Sequence, residues 1–160
     1  MKTSLVALGL AALLLAGGAR ADFTLNRETT LSDAFGGQFH AITDGTLAAE
    51  GAERSTVATF TNFHPRAEAT TVNGQIERRF ERVDEEATRR YNGDLSIVTA
   101  VAGSDPRSLT LRFENLTVVR GDEGASLSGT LLVNDRSIDA AQAPGVVKAI
   151  VLRLIRFLRY

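Results

Sequence analysis

The chain has no cysteine, two histidines and three prolines among its 160 residues. Without cysteine there is no disulfide framework, no thiol nucleophile, no cysteine-ligated metal and no N-terminal cysteine for lipid attachment. A secreted unit of this length can build a core without disulfides. His40 and His64 lie far apart in no metal-spaced motif. Zinc asks for three or four ligands, so each reads as a surface or half-buried histidine. HExxH, GxSxG, Walker and GxGxxG patterns are all missing. The acidic turns Asp84-Glu85-Glu86 and Asp122-Glu123 lack the alternating oxygen ligands of a calcium loop. No catalytic residue, cofactor or metal is therefore expected. The formal charge is −1, which leaves no basic excess for nucleic acid.

Long apolar runs are scarce as well. The one near the start, Leu5–Leu15, follows Lys2 and precedes Ala19-Arg20-Ala21, the small-x-small pattern of a cleavage site. Eleven residues fall short of the ~20 that span a bilayer as a helix. Residues 1–21 read as a cleaved signal peptide, and 22–160 as a single β-rich domain of a periplasmic or secreted protein.

What is abundant is alternation. From Val72 to Phe80 the even positions (Val72, Gly74, Ile76, Arg78, Phe80) mostly lack charge, and the odd ones are polar. Past the break at Asp84–Ala87, the odd positions Tyr91, Gly93, Leu95, Ile97, Thr99 and Val101 take over. Period two marks strands with one wet and one dry face. A four-residue loop at Asp84–Ala87 sets Val83 against Thr88, Phe80 against Tyr91, Ile76 against Leu95, Arg78 against Gly93 and Glu81 against Arg90. Asn73-Gly74 and Asn92-Gly93 are strong hairpin-turn dipeptides. A turn there would break the alternation, so both are placed inside strands.

The remaining strands follow the same logic. Phe23, Leu25 and Leu31 suggest a first strand, and Gln38–Ile42 a short second one. Asp44-Gly45 suggests a turn, and Ala48–Arg54 a loop or one helical turn. Ser55–Phe63 is rich in β-branched and aromatic residues. Ser108–Arg120 and Ser126–Asn134 complete the set, after a turn at Gly103–Pro106. Asp44-Gly45-Thr46-Leu47, Asn73-Gly74-Gln75-Ile76, Asn92-Gly93-Asp94-Leu95 and Ser128-Gly129-Thr130-Leu131 share a polar-Gly-polar-aliphatic pattern at uneven spacing. Short polar connections imply antiparallel neighbours. The expected fold is all-β: a β-meander, as a curved sheet or partial barrel, with an amphipathic helix over about 145–160 packed on it. On that helix Val146, Val147, Ile150, Val151, Leu154, Phe157 and Leu158 share one arc, with Leu152 outside it. Lys148, Arg153, Arg156 and Arg159 lie opposite.

Two features bear on function. Across the dry face, Arg78, Gly93, Asn115 or Thr117, and Gly129 are expected to form a band. The plainer explanation is that the glycines admit the helix and Arg78 snorkels to a rim. The sharper one makes these residues the floor of a ligand groove in which Arg78 meets an anionic headgroup or carboxylate. The sequon at Asn115–Thr117 reads as chance. The sequence thus points to a non-catalytic binding domain for an apolar or amphiphilic ligand or an envelope protein. The alternative is a structural envelope protein in peripheral contact with a membrane through Lys148, Arg153, Arg156 and Arg159.

Overall fold

The computed structural model describes residues 23–48, 51–65, 69–83, 86–121 and 124–158. The expected leader and Arg159 lie outside them. Eight strands form one antiparallel meander in chain order. They are β1 (Phe23–Ser32), β2 (Gln38–Ala48), β3 (Gly51–Phe63), β4 (Thr70–Val83), β5 (Glu86–Val101), β6 (Ser104–Gly121), β7 (Gly124–Val133) and β8 (Arg136–Asp139). A 3₁₀ turn (Ala140–Gln142) then leads to helix α1 (Gly145–Phe157). The sheet is not closed into a barrel; β1 and β8 are its two edges.

The alternation holds through both Asn-Gly steps, as the sequence requires. Val72, Ile76, Tyr91, Leu95 and Ile97 are buried on the inner face, the one that α1 covers. The register differs from the expected one by two residues. Val83 pairs with Glu86, so only residues 84 and 85 lie between the strands. Phe80 therefore faces Arg89 instead of Tyr91, and Arg78 faces Tyr91 instead of Gly93. A shift of two keeps every side chain on its face. Glu81 still meets Arg90, diagonally, at 4.0 Å.

Other boundaries move outward. Asp44-Gly45 lies within β2, where Asn26 Nδ2 donates to Asp44 Oδ1 at 2.6 Å. Gly51–Arg54 belongs to β3, not to a loop or helical turn. Strand β6 begins at Ser104, and its Asp105-Pro106 step falls where the β5–β6 register slips, a place that tolerates a missing N–H. The chain does contain a tight turn with two positive φ values, but at Asn134 (47°) and Asp135 (63°), joining β7 to the short β8.

Besides that slip, two bulges interrupt the ladder among the described residues, each on an asparagine with positive φ. Asn62 (47°) lets Phe60 and then Phe63 point inward. Its N–H donates to Asn73 Oδ1 at 2.8 Å, beside Gly74 at φ 120°. Asn115 (50°) does the same in β6, so Phe113 and then Leu116 point inward. Its N–H donates to Asn92 Oδ1 at 2.8 Å on one side, and Gly129 (112°) lies against its carbonyl on the other. Three of the four polar-Gly repeats are thus partners of bulges, which locally raise the twist of a sheet.

Helix α1 crosses the inner face. The 3₁₀ turn before it packs on β7. Phe157 in its last turn meets Phe39, Phe60 and Phe63 of β2 and β3, with ring centroids 5.7, 6.2 and 5.4 Å away. Val147, Val151, Leu154 and Ile155 are buried on the sheet. The apolar stripe is rotated from the expected arc. Val146 is 73% exposed, Ile155 is buried, and Leu152 packs at its edge. Burying each of these aliphatic side chains contributes about 1.5–3 kcal/mol.

Gly93 has a packing reason other than the helix. A Cβ there would lie 2.4 Å from Cζ of Phe113, a ring only 1% exposed. Gly93→Ala should lower the unfolding free energy by about 1–3 kcal/mol, as overpacking does. Phe113→Leu in that background should recover part of the loss, measured by urea denaturation. A Gly93→Ala protein as stable as the parent would show that the ring yields freely.

Candidate functional site

The strands that α1 crosses are 13 to 18 residues long in β3 to β6. At ~3.3 Å per residue they far exceed the ~10–12 Å width of a helix. Part of the inner face therefore projects beyond the helix. At the end carrying the β2–β3 and β4–β5 connections, this projection forms a groove of about 590 Å³. Arg54, Arg78, Phe80, Arg82, Arg89 and Tyr91 form its floor, and Leu152, Ile155 and Arg156 of α1 its wall. Among the described residues that line it, five are arginines and none is acidic.

Pairing explains how the arginines come together. Arg54, Phe80 and Arg89 are aligned across β3, β4 and β5. Arg78 and Arg82 flank Phe80 two residues away along β4, on the same face. All four nearest same-face neighbours of Phe80 are thus arginines. The Arg89 guanidinium lies 5.2 Å from the Phe80 ring centroid, a cation–π distance. Arg78 is the most constrained of the group: its Nη2 donates to Thr56 Oγ1 at 3.0 Å. Thr56 is 2% exposed, and its hydroxyl also meets that of Thr43 at 3.0 Å. The buried Thr56, itself bonded to the half-buried Thr43, therefore helps to orient this guanidinium.

Charge is distributed differently on the outer face. There Arg79 pairs with Glu77 at 2.7 Å, Arg112 with Asp94 at 2.9 Å, and Arg90 with Glu81 at 4.0 Å. The hydrogen bond from Arg79 holds the Glu77 carboxyl below its usual range, and the bond to Asp94 raises the Arg112 guanidinium above its own. Among the described residues, no ion pair involves Arg54, Arg82, Arg89 or Arg156.

Of the residues named from the sequence, Arg78 lines the groove and the rest of the expected band does not. Gly93 faces Ile76 and is covered by the Phe113 ring. Asn115 is exposed at its bulge. Thr117 pairs with Arg90, placing it on the outer face. Gly129 sits beneath the Asn115 carbonyl. The two-residue register difference and the phase change at Asn115 separate them. In α1, Arg156 lines the groove, Arg153 is exposed, and Lys148 Nζ donates to the Ala141 carbonyl at 2.6 Å. Sequence reasoning missed Arg54, Phe80, Arg82, Arg89 and Tyr91 as a site. The signal was available: Arg82 is the next even position after Phe80, and Arg89 the odd position before Tyr91.

The opposite end of the sheet is closed by a polar clasp. Asp33 Oδ1 accepts from the N–H of Phe35 (2.8 Å) and Gly37 (2.9 Å). Its Oδ2 accepts from the His64 N–H (2.6 Å) and meets His64 Nδ1 at 2.9 Å. His64 Nε2 meets the Thr71 hydroxyl at 3.3 Å, and the Phe35 ring lies 5.1 Å from the imidazole. Hydroxyl, imidazole and carboxylate stand in the order of a hydrolase triad. Here the Asp33 and His64 side chains are only 9% and 12% exposed and tie the β1–β2 connection to the end of β3. Among the described residues, no group of three His, Cys, Asp or Glu could hold a metal, and no helix is long and apolar enough to cross a membrane. No protein-family profile matches the chain, and no curated protein or solved structure does.

Burial alone would raise the Asp33 pKa, but the three N–H donors and the imidazole outweigh it and bring it down to about 2. A depressed carboxylate pKa gives stability that is complete above the unfolded-state value and is lost as pH falls. The clasp should therefore weaken between about pH 4 and 2. Asp33→Asn keeps an acceptor for Phe35 and Gly37 but sets an amide against two His64 donors. It should cost about 1–3 kcal/mol at pH 7 and flatten the stability–pH curve below about pH 4. Denaturant unfolding over that range measures both, and an unchanged curve would remove Asp33 from the account.

Proposed function

We propose that this is an exported, non-catalytic binding protein that holds an anionic amphiphile in the groove between the inner face and α1. The observation that carries this reading is the mixed lining of the groove: among the described residues, arginines with no carboxylate, beside Tyr91, Val118, Leu152 and Ile155. A concave site of a few hundred Å³, part apolar and with convergent polar groups, is the usual form of a small-molecule site. Low-dielectric walls of one charge sign also concentrate ligands of the other. Export is supported by Lys2, the apolar run Leu5–Leu15 and Ala19-Arg20-Ala21. The apolar stripe of α1 is taken up by the sheet, which weighs against the helix lying apolar face down on a bilayer.

Titration of the purified protein with a dansyl-labelled undecanoic acid tests this. Saturable binding at one site per chain is expected, with Arg78→Met reducing affinity roughly ten- to hundredfold, as loss of a charge-assisted hydrogen bond does. Its unfolding midpoint should stay close to the parent's. Absence of saturable binding, or equal affinity in Arg78→Met, would sink the proposal.

A further inference from the structure

We infer that the head group taken by this groove is a phosphate-class dianion, seated over Phe80 among Arg54, Arg78, Arg82 and Arg89, with its chain against Tyr91, Val118, Leu152 and Ile155. This rests on the amphiphile reading above and sharpens it. The four arginines occupy every nearest same-face position around one aromatic ring. Cross-strand neighbours are about 5 Å apart and i±2 neighbours about 7 Å apart. Four guanidinium stems therefore rise from a patch roughly 10 × 14 Å across. Each guanidinium presents donors in a planar fork. A carboxylate has two oxygens in one plane and a single negative charge, and it matches one planar fork bidentately. A phosphomonoester has three terminal oxygens in a tetrahedral array and about two negative charges near neutral pH, so it can accept from several forks at once.

Charge complementarity favours the same choice. Arg156 brings a fifth cation from the helix, and among the described residues no acidic one lines the groove. Arg54, Arg82 and Arg89 take no part in the ion pairs of the described residues, whereas Arg79, Arg90 and Arg112 on the other face do. A monoanion would leave most of this positive charge uncompensated. Phe80 gives the site a flat apolar base at the point where head group and chain meet.

The test compares dodecyl phosphate, dodecanoate and inorganic phosphate at about pH 8, where the phosphates are dianions, each by calorimetric titration of the purified protein. Dodecyl phosphate should bind at least roughly tenfold more tightly than dodecanoate, with a steeper loss of affinity as salt rises, as expected for several charge-assisted contacts. Inorganic phosphate should bind much more weakly than dodecyl phosphate. Arg54→Gln with Arg89→Gln, two exposed positions, should lower dodecyl phosphate affinity by a larger factor than dodecanoate affinity and so erase the preference; a preference that survives the double change would overturn the head-group assignment. Equal binding of dodecyl phosphate and dodecanoate by the parent would overturn the head-group assignment while the amphiphile reading stands. Equal binding of inorganic phosphate and dodecyl phosphate would overturn the placement of the chain. Binding of neither amphiphile would remove the site itself.

Discussion

A mismatch of dimensions governs this molecule. The inner face of the sheet is several times longer, along the strands, than a helix is wide. One helix of 13 residues must bury what it can of that face. It lies across the strands, because in that direction its length of about 20 Å matches four or five strand spacings. The apolar side chains concentrate under it: Phe39, Phe60, Ile76, Leu95, Leu111 and Leu131 on the sheet, Val151, Leu154 and Ile155 on the helix. Beyond the helix the face must either be polar or stay unsatisfied, and at one end it is lined with arginine. Core and groove are two parts of one surface, divided by where the helix stops covering it.

The bulges fit strands of this length to one helix. In an unbroken strand Phe60 and Asn62 would share the inner face and Phe63 would point outward. The extra residue at Asn62 instead aims Phe63 at Phe157. At Asn115 the extra residue turns Leu116 inward beside Tyr91. In both cases an asparagine on the neighbouring strand accepts the N–H that the ladder no longer serves, Asn73 for Asn62 and Asn92 for Asn115. Asparagine tolerates positive φ better than most residues, and glycine opposite the bulge lets the backbones draw close. The Asn-Gly dipeptides that would ordinarily signal reversal here serve straight strands beside bulged ones.

Much of the fold is legible because period two is a local property. The faces of β4 and β5, the order of the meander and the helix after Pro144 can all be read from spacing. Register is not legible, because partner choice depends on how many residues the connection uses, and a shift of two leaves the alternation unchanged. Bulges are not legible either: Asn115 counts as inward, and one inserted residue reverses everything after it. β8 is too short to announce itself. The site suffers from the same two causes. Arg78 stands out because it interrupts an apolar series, and its expected neighbours are lost when the register moves. Arg54 and Arg89 become neighbours of Phe80 only through pairing across three strands, which no single stretch of sequence displays.

The separation of charge between the two faces is the strongest physical reason to read the groove as a site. Surface charges usually mix, since exposed pairs add a little stability and like neighbours subtract it. The outer face follows that rule, with Glu77, Glu81 and Asp94 each beside an arginine. The groove breaks it on the same strands and within a few residues. Four arginines around one phenylalanine repel one another, which serine or threonine at the same positions would not do. Their planar forks matter only to something that accepts several of them. The buried Thr56 strengthens the point, because its hydroxyl constrains the orientation of Arg78 before any ligand arrives. Pre-set donors lose less freedom on binding than mobile ones. Unmatched charge and a fixed guanidinium in one concave place are costs to the apoprotein that an anionic ligand would offset.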